Sequence, residues 1–401
     1  MGSVIASFLP RCVMSRHFLW EFLVLIMPQI WVFLFPDWAL PILGCGTLLI
    51  IFLCWFRPAS GRIASDPLVF FSLSRAAIMI MCVIGILAVD FQAFPRRFVK
   101  TETMGTSLMD IGVGIVTVSL GLSAARHYQN DASFPSMVTA VRSTAVTLLI
   151  GLARMVLVKG VDYQEHVSEY GVHWNFFVTL GMLPIMVALL FRLFRSRHAF
   201  LLGLAIASLY QAALSFTNLQ SWLLFSSDRS NLIAQNREGL FSLFGYLAIT
   251  LMSLRFGRRI FSTPPMEATA WRKVLREWMG ISGLLWTMLG FLLKVCGLEV
   301  SRRLANLPFC IWSLAVAISW LTAALALDIF LRPQLSIIAE AVSRNQLPFF
   351  LLANLLTGAI NLAMQTLLAS TLTAVLILTA YMLFSLGLMV VLCRNKIFLR
   401  L

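Results

Sequence analysis

The stretch from Ala88 to Thr103 gathers groups able to do chemistry: Asp90, then Arg96, Arg97, Lys100 and Glu102. Asp90 follows directly on an apolar run. Loss of water at such a boundary raises a carboxyl pKa towards neutrality and makes it usable as a base. Lys100, ten residues on, is suited to steadying a developing oxyanion. Arg96 and Arg97 carry forked donors that match phosphate. The competing reading makes Asp90 a helix-end acid paired with Arg97, with the arginines as interfacial anchors.

Four other segments carry polar chemistry. Between Lys159 and Phe176 stand His166, Glu169, Tyr170, His173 and Asn175, including two of the five His in the chain. On a helix, His166, Glu169 or Tyr170, and His173 would share a face, though Gly171 breaks the pattern; no metal-ligand spacing matches. The readings are a polar substrate surface or a helix-capping network. Asp110, with Gly112 and Gly114 beside it, reads as an acid inside a membrane span, which is a functional candidate by default, or as the structural partner of Arg142 or Arg154. Asn236 and Arg237 open a further apolar run, Asn236 as its cap and Arg237 as a contact for an anionic headgroup. Asn354, Gly358, Asn361 and Gln365 recur at spacings of about 4, 3 and 4, a polar stripe that lines a cavity or glues helices.

Lipid-depth helices must position these groups. Of 401 residues, 60% are apolar and only 12% charged, against roughly 45–50% and about 25% in soluble domains. That excludes a water-soluble enzyme, a coiled coil and a disordered chain. The expected fold is an all-α polytopic integral membrane protein, one multi-spanning domain over residues 1–401. About twelve transmembrane helices are expected, near 19–35, 38–56, 69–89, 106–123, 137–158, 172–191, 199–216, 239–256, 279–297, 307–330, 348–368 and 371–393. Residues 90–105, 159–171 and 217–238 then form functional loops on one side. The piece Leu219–Phe225 is too short to cross and reads as interfacial or re-entrant. The seven Cys contain no CxxC pair and read as small buried hydrophobes. The net charge of +14 clusters between apolar runs, as in cytosolic loops, so nucleic acid is not the expected partner. Most of the 31 Lys and Arg residues fall on one side if both chain ends are cytosolic. The polar loops then face the opposite side.

Five strings together resemble one family: AVDFQAFPRRFVKTE (88–102), DYQEHVSEYGVHWNFF (162–177), NREGLFSLFGY (236–246), SRRLANLPFCIW (301–312) and NLLTGAIN (354–361). The family is the inositol acyltransferase of glycosylphosphatidylinositol (GPI) anchor assembly, phosphatidylinositol-glycan class W in animals. The resemblance runs in order from about residue 20 to the C-terminus. It implies a multi-pass enzyme of the endoplasmic reticulum with lumenal active-site loops. Such an enzyme moves a fatty acyl group, typically palmitoyl, from acyl-coenzyme A to the inositol 2-hydroxyl of glucosaminyl-phosphatidylinositol. The family's catalytic Asp and Lys fall on Asp90 and Lys100. Substrate-binding residues are expected among Arg96, Arg97, Asp110, His166, Glu169, His173, Asn175, Asn236, Arg237, Asn354 and Asn361. No cofactor beyond the acyl-coenzyme A co-substrate, no metal and no obligate protein partner is expected. Family members begin with an extra span that residues 1–18 do not resemble, so twelve spans are expected where the family has thirteen.

Two other classes compete. A transporter would use Asp110, Arg142, Arg154 and Asp328 as a charge relay, but duplicated halves are not evident in the sequence. A non-catalytic lipid-binding subunit would need no base at all.

Overall fold

The computed structural model describes residues 18–45, 69–128, 137–160, 167–264, 267–331 and 335–398, and these are helical and irregular throughout, without strands. The longer helices are α1 Phe18–Leu34, α2 Val69–Ala88, α3 Asp110–Ala124, α4 Met137–Gly160, α5 Phe176–Leu193 and α6 Ala199–Phe216. They continue with α7 Arg237–Ser262, α8 Ala268–Lys294, α9 Leu307–Leu331, α10 Ile337–Arg344, α11 Gln346–Ala363 and α12 Thr371–Arg394. Among the described residues eight helices are long and apolar enough to cross a membrane, with α1 a shorter apolar one. The eight are α2, α4, α5, α6, α7, α9, α11 and α12. Helix α3 has only 15 residues, and α8 carries Arg272, Lys273, Arg276 and Glu277 in its first half. The protein is therefore an all-helical, polytopic membrane protein. Of the expected segment 38–56, residues 39–45 are helical and 46–56 lie outside the described residues. Every other expected span falls on one of these helices.

Cα packing divides the chain into two compact units. The first takes Met1–Val99, Pro265–Arg276 and Trp320–Arg400. Its core is Ile26, Phe70, Ile84, Phe91, Phe349, Leu378 and Met382, all essentially inaccessible. Pro28 stands one residue into the second part of α1. Its ring excludes the usual bond to the preceding turn, and α1 opens a π-turn over Phe22–Ile26, closed by Met27 N–H donating to Phe22 O. The buried carboxylate of Glu21 then caps α10, accepting from Ile337 N (3.1 Å) and Ile338 N (3.0 Å). An anion at a helix N-terminus answers both the open N–H groups and the helix dipole.

The second unit takes Lys100–Pro264 and Glu277–Ser319. Helix α7 is its axis, 78% buried over its membrane-length window, and packs against α3, α5 and α6. Close approach of α3 and α7 depends on paired small residues. A methyl group at Gly121 would run into the Thr250 carbonyl, and one at Gly257 into that of Leu122. Backbones that approach this closely gain dispersion contacts, the main source of helix association in lipid.

Candidate active site

In the first unit α2 stops at Ala88 and the chain turns through Val89 and Asp90. Phe91 and Phe94 bury fully and anchor the turn. The Arg96 guanidinium folds back over it, donating to Val89 O (3.1 Å) and Phe91 O (3.3 Å). Asp90 Oδ2 accepts from Asn361 Nδ2 at 2.8 Å, and Asn361 Oδ1 accepts from Thr366 Oγ1 at 3.3 Å. The second contact fixes which way the amide faces, so it presents a donor to the carboxylate. Burial pushes the Asp90 carboxyl above its ordinary range; the Asn361 hydrogen bond and the Arg96 charge pull it back only in part. Arg97 is not its partner. It lies 3.7 Å from Asp37, both well exposed, and its guanidinium sits over the Phe98 ring.

Of the expected polar stripe on α11, only Asn361 reaches Asp90. Asn354 donates back to Phe350 O at 2.7 Å within its own helix. The helix ends at Ala363, so Gln365 lies off the stripe.

In the second unit Lys100 Nζ contacts both oxygens of Glu169, at 3.0 and 3.2 Å. Arg302 Nη2 reaches the same carboxylate at 3.4 Å, and Arg302 Nε donates to Asp110 Oδ1 at 2.9 Å. Asp110 also accepts from the Thr101 amide and hydroxyl. Two cations and two anions thus close one network, its Asp110–Arg302 half buried. The expected partners of Asp110, Arg142 and Arg154, are both exposed. The physical reason is position: Asp110 begins α3 and is not inside a span, so a loop residue reaches it. That loop is stapled down by Gly105 N–H donating to Val300 O (2.7 Å) and Ser301 N–H to Asn306 Oδ1 (3.1 Å). Arg302 was not anticipated from spacing; its only signal was its place in the string 301–312.

The loop before α5 is fixed by its asparagines. Val167–Tyr170 is one short helical turn, and Gly171 ends it at φ +115°, a conformation side chains other than glycine rarely adopt. Asn175 caps α5, its Oδ1 accepting from Phe177 N and Val178 N, and its Nδ2 donates to Gly151 O of α4 at 2.8 Å. Asn236 does not cap α7 as expected. Its Oδ1 accepts from His173 N at 2.7 Å and its Nδ2 donates to Leu232 O. The cap seen nearby is Asn231, on the turn Leu232–Gln235. The His173 residue is exposed; His166 lies outside the described residues. Arg237 is 1% exposed and donates to the carbonyls of Asp228 and Ser226. The neighbouring buried Glu238 gathers Arg229 (2.6 Å) and Arg303 (3.1 Å). Leu219–Phe225 is a short helix, as its length required.

The chain is 39% identical over 366 residues to GPI-anchored wall transfer protein 1 of Aspergillus oryzae, covering 82% of this chain and 73% of the relative. It is 38% identical to the Schizosaccharomyces pombe protein of the same name, over 77% and 68%. It is 36% identical to an uncharacterized Arabidopsis thaliana protein, over 90% and 83%. The GWT1 family model matches residues 3–392, and the chain belongs to the GWT1 family.

Proposed function

We propose that this protein transfers a fatty acyl group from acyl-coenzyme A to the inositol 2-hydroxyl of glucosaminyl-phosphatidylinositol, with Asp90 as the general base. As a member of its family the chain is an inositol acyltransferase of GPI-anchor biosynthesis and a multi-pass membrane enzyme; the match over residues 3–392 carries that conclusion. Palmitoyl is the expected acyl group, and the endoplasmic reticulum the expected membrane.

An inositol hydroxyl is a weak nucleophile at neutral pH. Its proton passes to Asp90 as its oxygen forms the ester bond to the thioester carbon. Collapse of the tetrahedral adduct breaks the carbon–sulfur bond, and coenzyme A leaves as the thiol after taking a proton. No acyl-enzyme is required. A carboxyl whose pKa burial has raised matches this task better than an ordinary one. Lys100, 40% exposed and anchored by Glu169, is proposed to steady the oxyanion. Arg96 and the exposed His173 are proposed to meet the polar substrate. Twelve crossings with both ends cytosolic complete the reading, which puts the Asp90 turn and the 169–175 loop in the lumen.

Purified full chain, given labelled palmitoyl-coenzyme A and the glucosaminyl lipid, should form acylated lipid. Asp90→Asn should lower turnover by roughly 10²–10⁴-fold while lipid binding and thermal unfolding stay unchanged. Near-normal turnover in Asp90→Asn, with loss in His166→Ala, would move the base to the histidine.

A further inference from the structure

We infer that an arginine-lined cavity at the far end of α7 binds a phosphate-bearing anion. The cavity measures about 270 Å³ and is lined by Arg197, Phe200, Arg255, Arg258, Arg259 and Glu277, together with Ala199 and Ser262. Among the described residues, four arginines and one glutamate thus line it. Glu277 is engaged by Arg259, whose Nε donates to it at 3.1 Å. Two of the other arginines make contacts that orient them. The Arg255 guanidinium stacks 5.8 Å over the Phe200 ring, and Arg197 Nε donates to His198 Nε2 at 3.0 Å.

Convergence from separate elements distinguishes this cavity from ordinary interfacial anchoring, where long basic side chains spread towards water. Arg197 comes from the turn before α6, three arginines from the last turns of α7, and Glu277 from α8. Ala199 and Phe200, the first residues of α6, line the same space, so the positive end of that helix's dipole lies beside it. Guanidinium forks match paired phosphate oxygens. The volume falls just below the about 300–1,000 Å³ of sites that enclose drug-sized ligands. It fits a phosphate-bearing head group, not a whole lipid or acyl-coenzyme A. At 1.5 Å per residue, Arg259 lies about 33 Å along α7 from Arg237. The cavity is therefore separate from the Lys100–Glu169–Arg302 network, and the inference stands apart from the catalytic roles proposed for Asp90 and Lys100.

Phosphate of this kind has two sources, the nucleotide end of a coenzyme A thioester or the head group of an anionic phospholipid. The full chain in uncharged detergent is titrated with adenosine 3′,5′-bisphosphate. In parallel, its binding to phosphatidylcholine vesicles with and without phosphatidylserine is measured. One probe should bind, more weakly as salt is added. The exposed double variant Arg197→Glu/Arg255→Glu should weaken that binding by about tenfold or more. Binding of the nucleotide identifies a coenzyme A site; serine-dependent vesicle binding alone identifies a lipid head-group site. If neither probe binds the wild-type chain, or the charge-reversed chain binds as well, the inference is overturned. Should the double variant not fold, Arg255→Gln replaces it and the same two outcomes decide.

Discussion

Asp90 works at the meeting point of three opposing influences. Burial disfavours its charge, while the Asn361 amide and the Arg96 guanidinium favour it, and burial prevails. As the proposed general base Asp90 must be ionised to act, so activity should fall as pH drops through its pKa. The acid limb of kcat/KM should therefore lie above about 4, the value of an unperturbed aspartate. Asn361→Leu removes an interaction that holds the pKa down, so the limb should move to higher pH. A merely structural loss would lower the plateau without moving the limb, and a pH–rate profile of the two proteins separates the cases. The sequence exposed Asp90 through its boundary position, and Asn361 through the polar spacing on α11. It did not reveal that the two meet, because residues 271 positions apart share no local pattern. Arg302 stayed hidden for the same reason.

At the scale of elements, the loop between α8 and α9 holds the start of α3 through one buried ion pair. Asp110 is fully buried and the Arg302 side chain is 5% exposed. Removing one partner strands the other charge in a medium that solvates it poorly. Arg302→Met should cost about 3–5 kcal/mol, read as a lowered unfolding temperature in detergent. The double variant Asp110→Asn/Arg302→Met should recover much of that loss, since no buried charge remains. A strictly additive double variant would show that the pair is not coupled. Hydropathy located the long helices because lipid demands about 20 apolar residues per crossing. The eight-residue α10, capped by the distant Glu21, was not legible. It is shorter than any crossing, and its cap comes from α1.

For the whole molecule, the twelve-crossing reading makes a demand that can be tested on α7 alone. This single helix runs from Arg237 to Ser262 and is about 39 Å long at 1.5 Å per residue. That exceeds the about 30 Å hydrocarbon thickness of a bilayer, so its two ends must emerge on opposite sides. On that reading the arginines at the Arg255–Arg259 end lie on the cytosolic side, where short loops collect Lys and Arg. The loop carrying Asp228 and Ser230 then faces the lumen. In a cysteine-free background that retains activity, Ser230→Cys in sealed microsomes should resist an impermeant maleimide until the membrane is opened. His198→Cys should react at once. Both sites are exposed, so failure to label reports the membrane barrier, not burial. The reverse pattern would turn the protein over in the membrane and put the Glu169–His173 loop in the cytosol. Acyl-coenzyme A made in the cytosol would then reach that loop without crossing the bilayer.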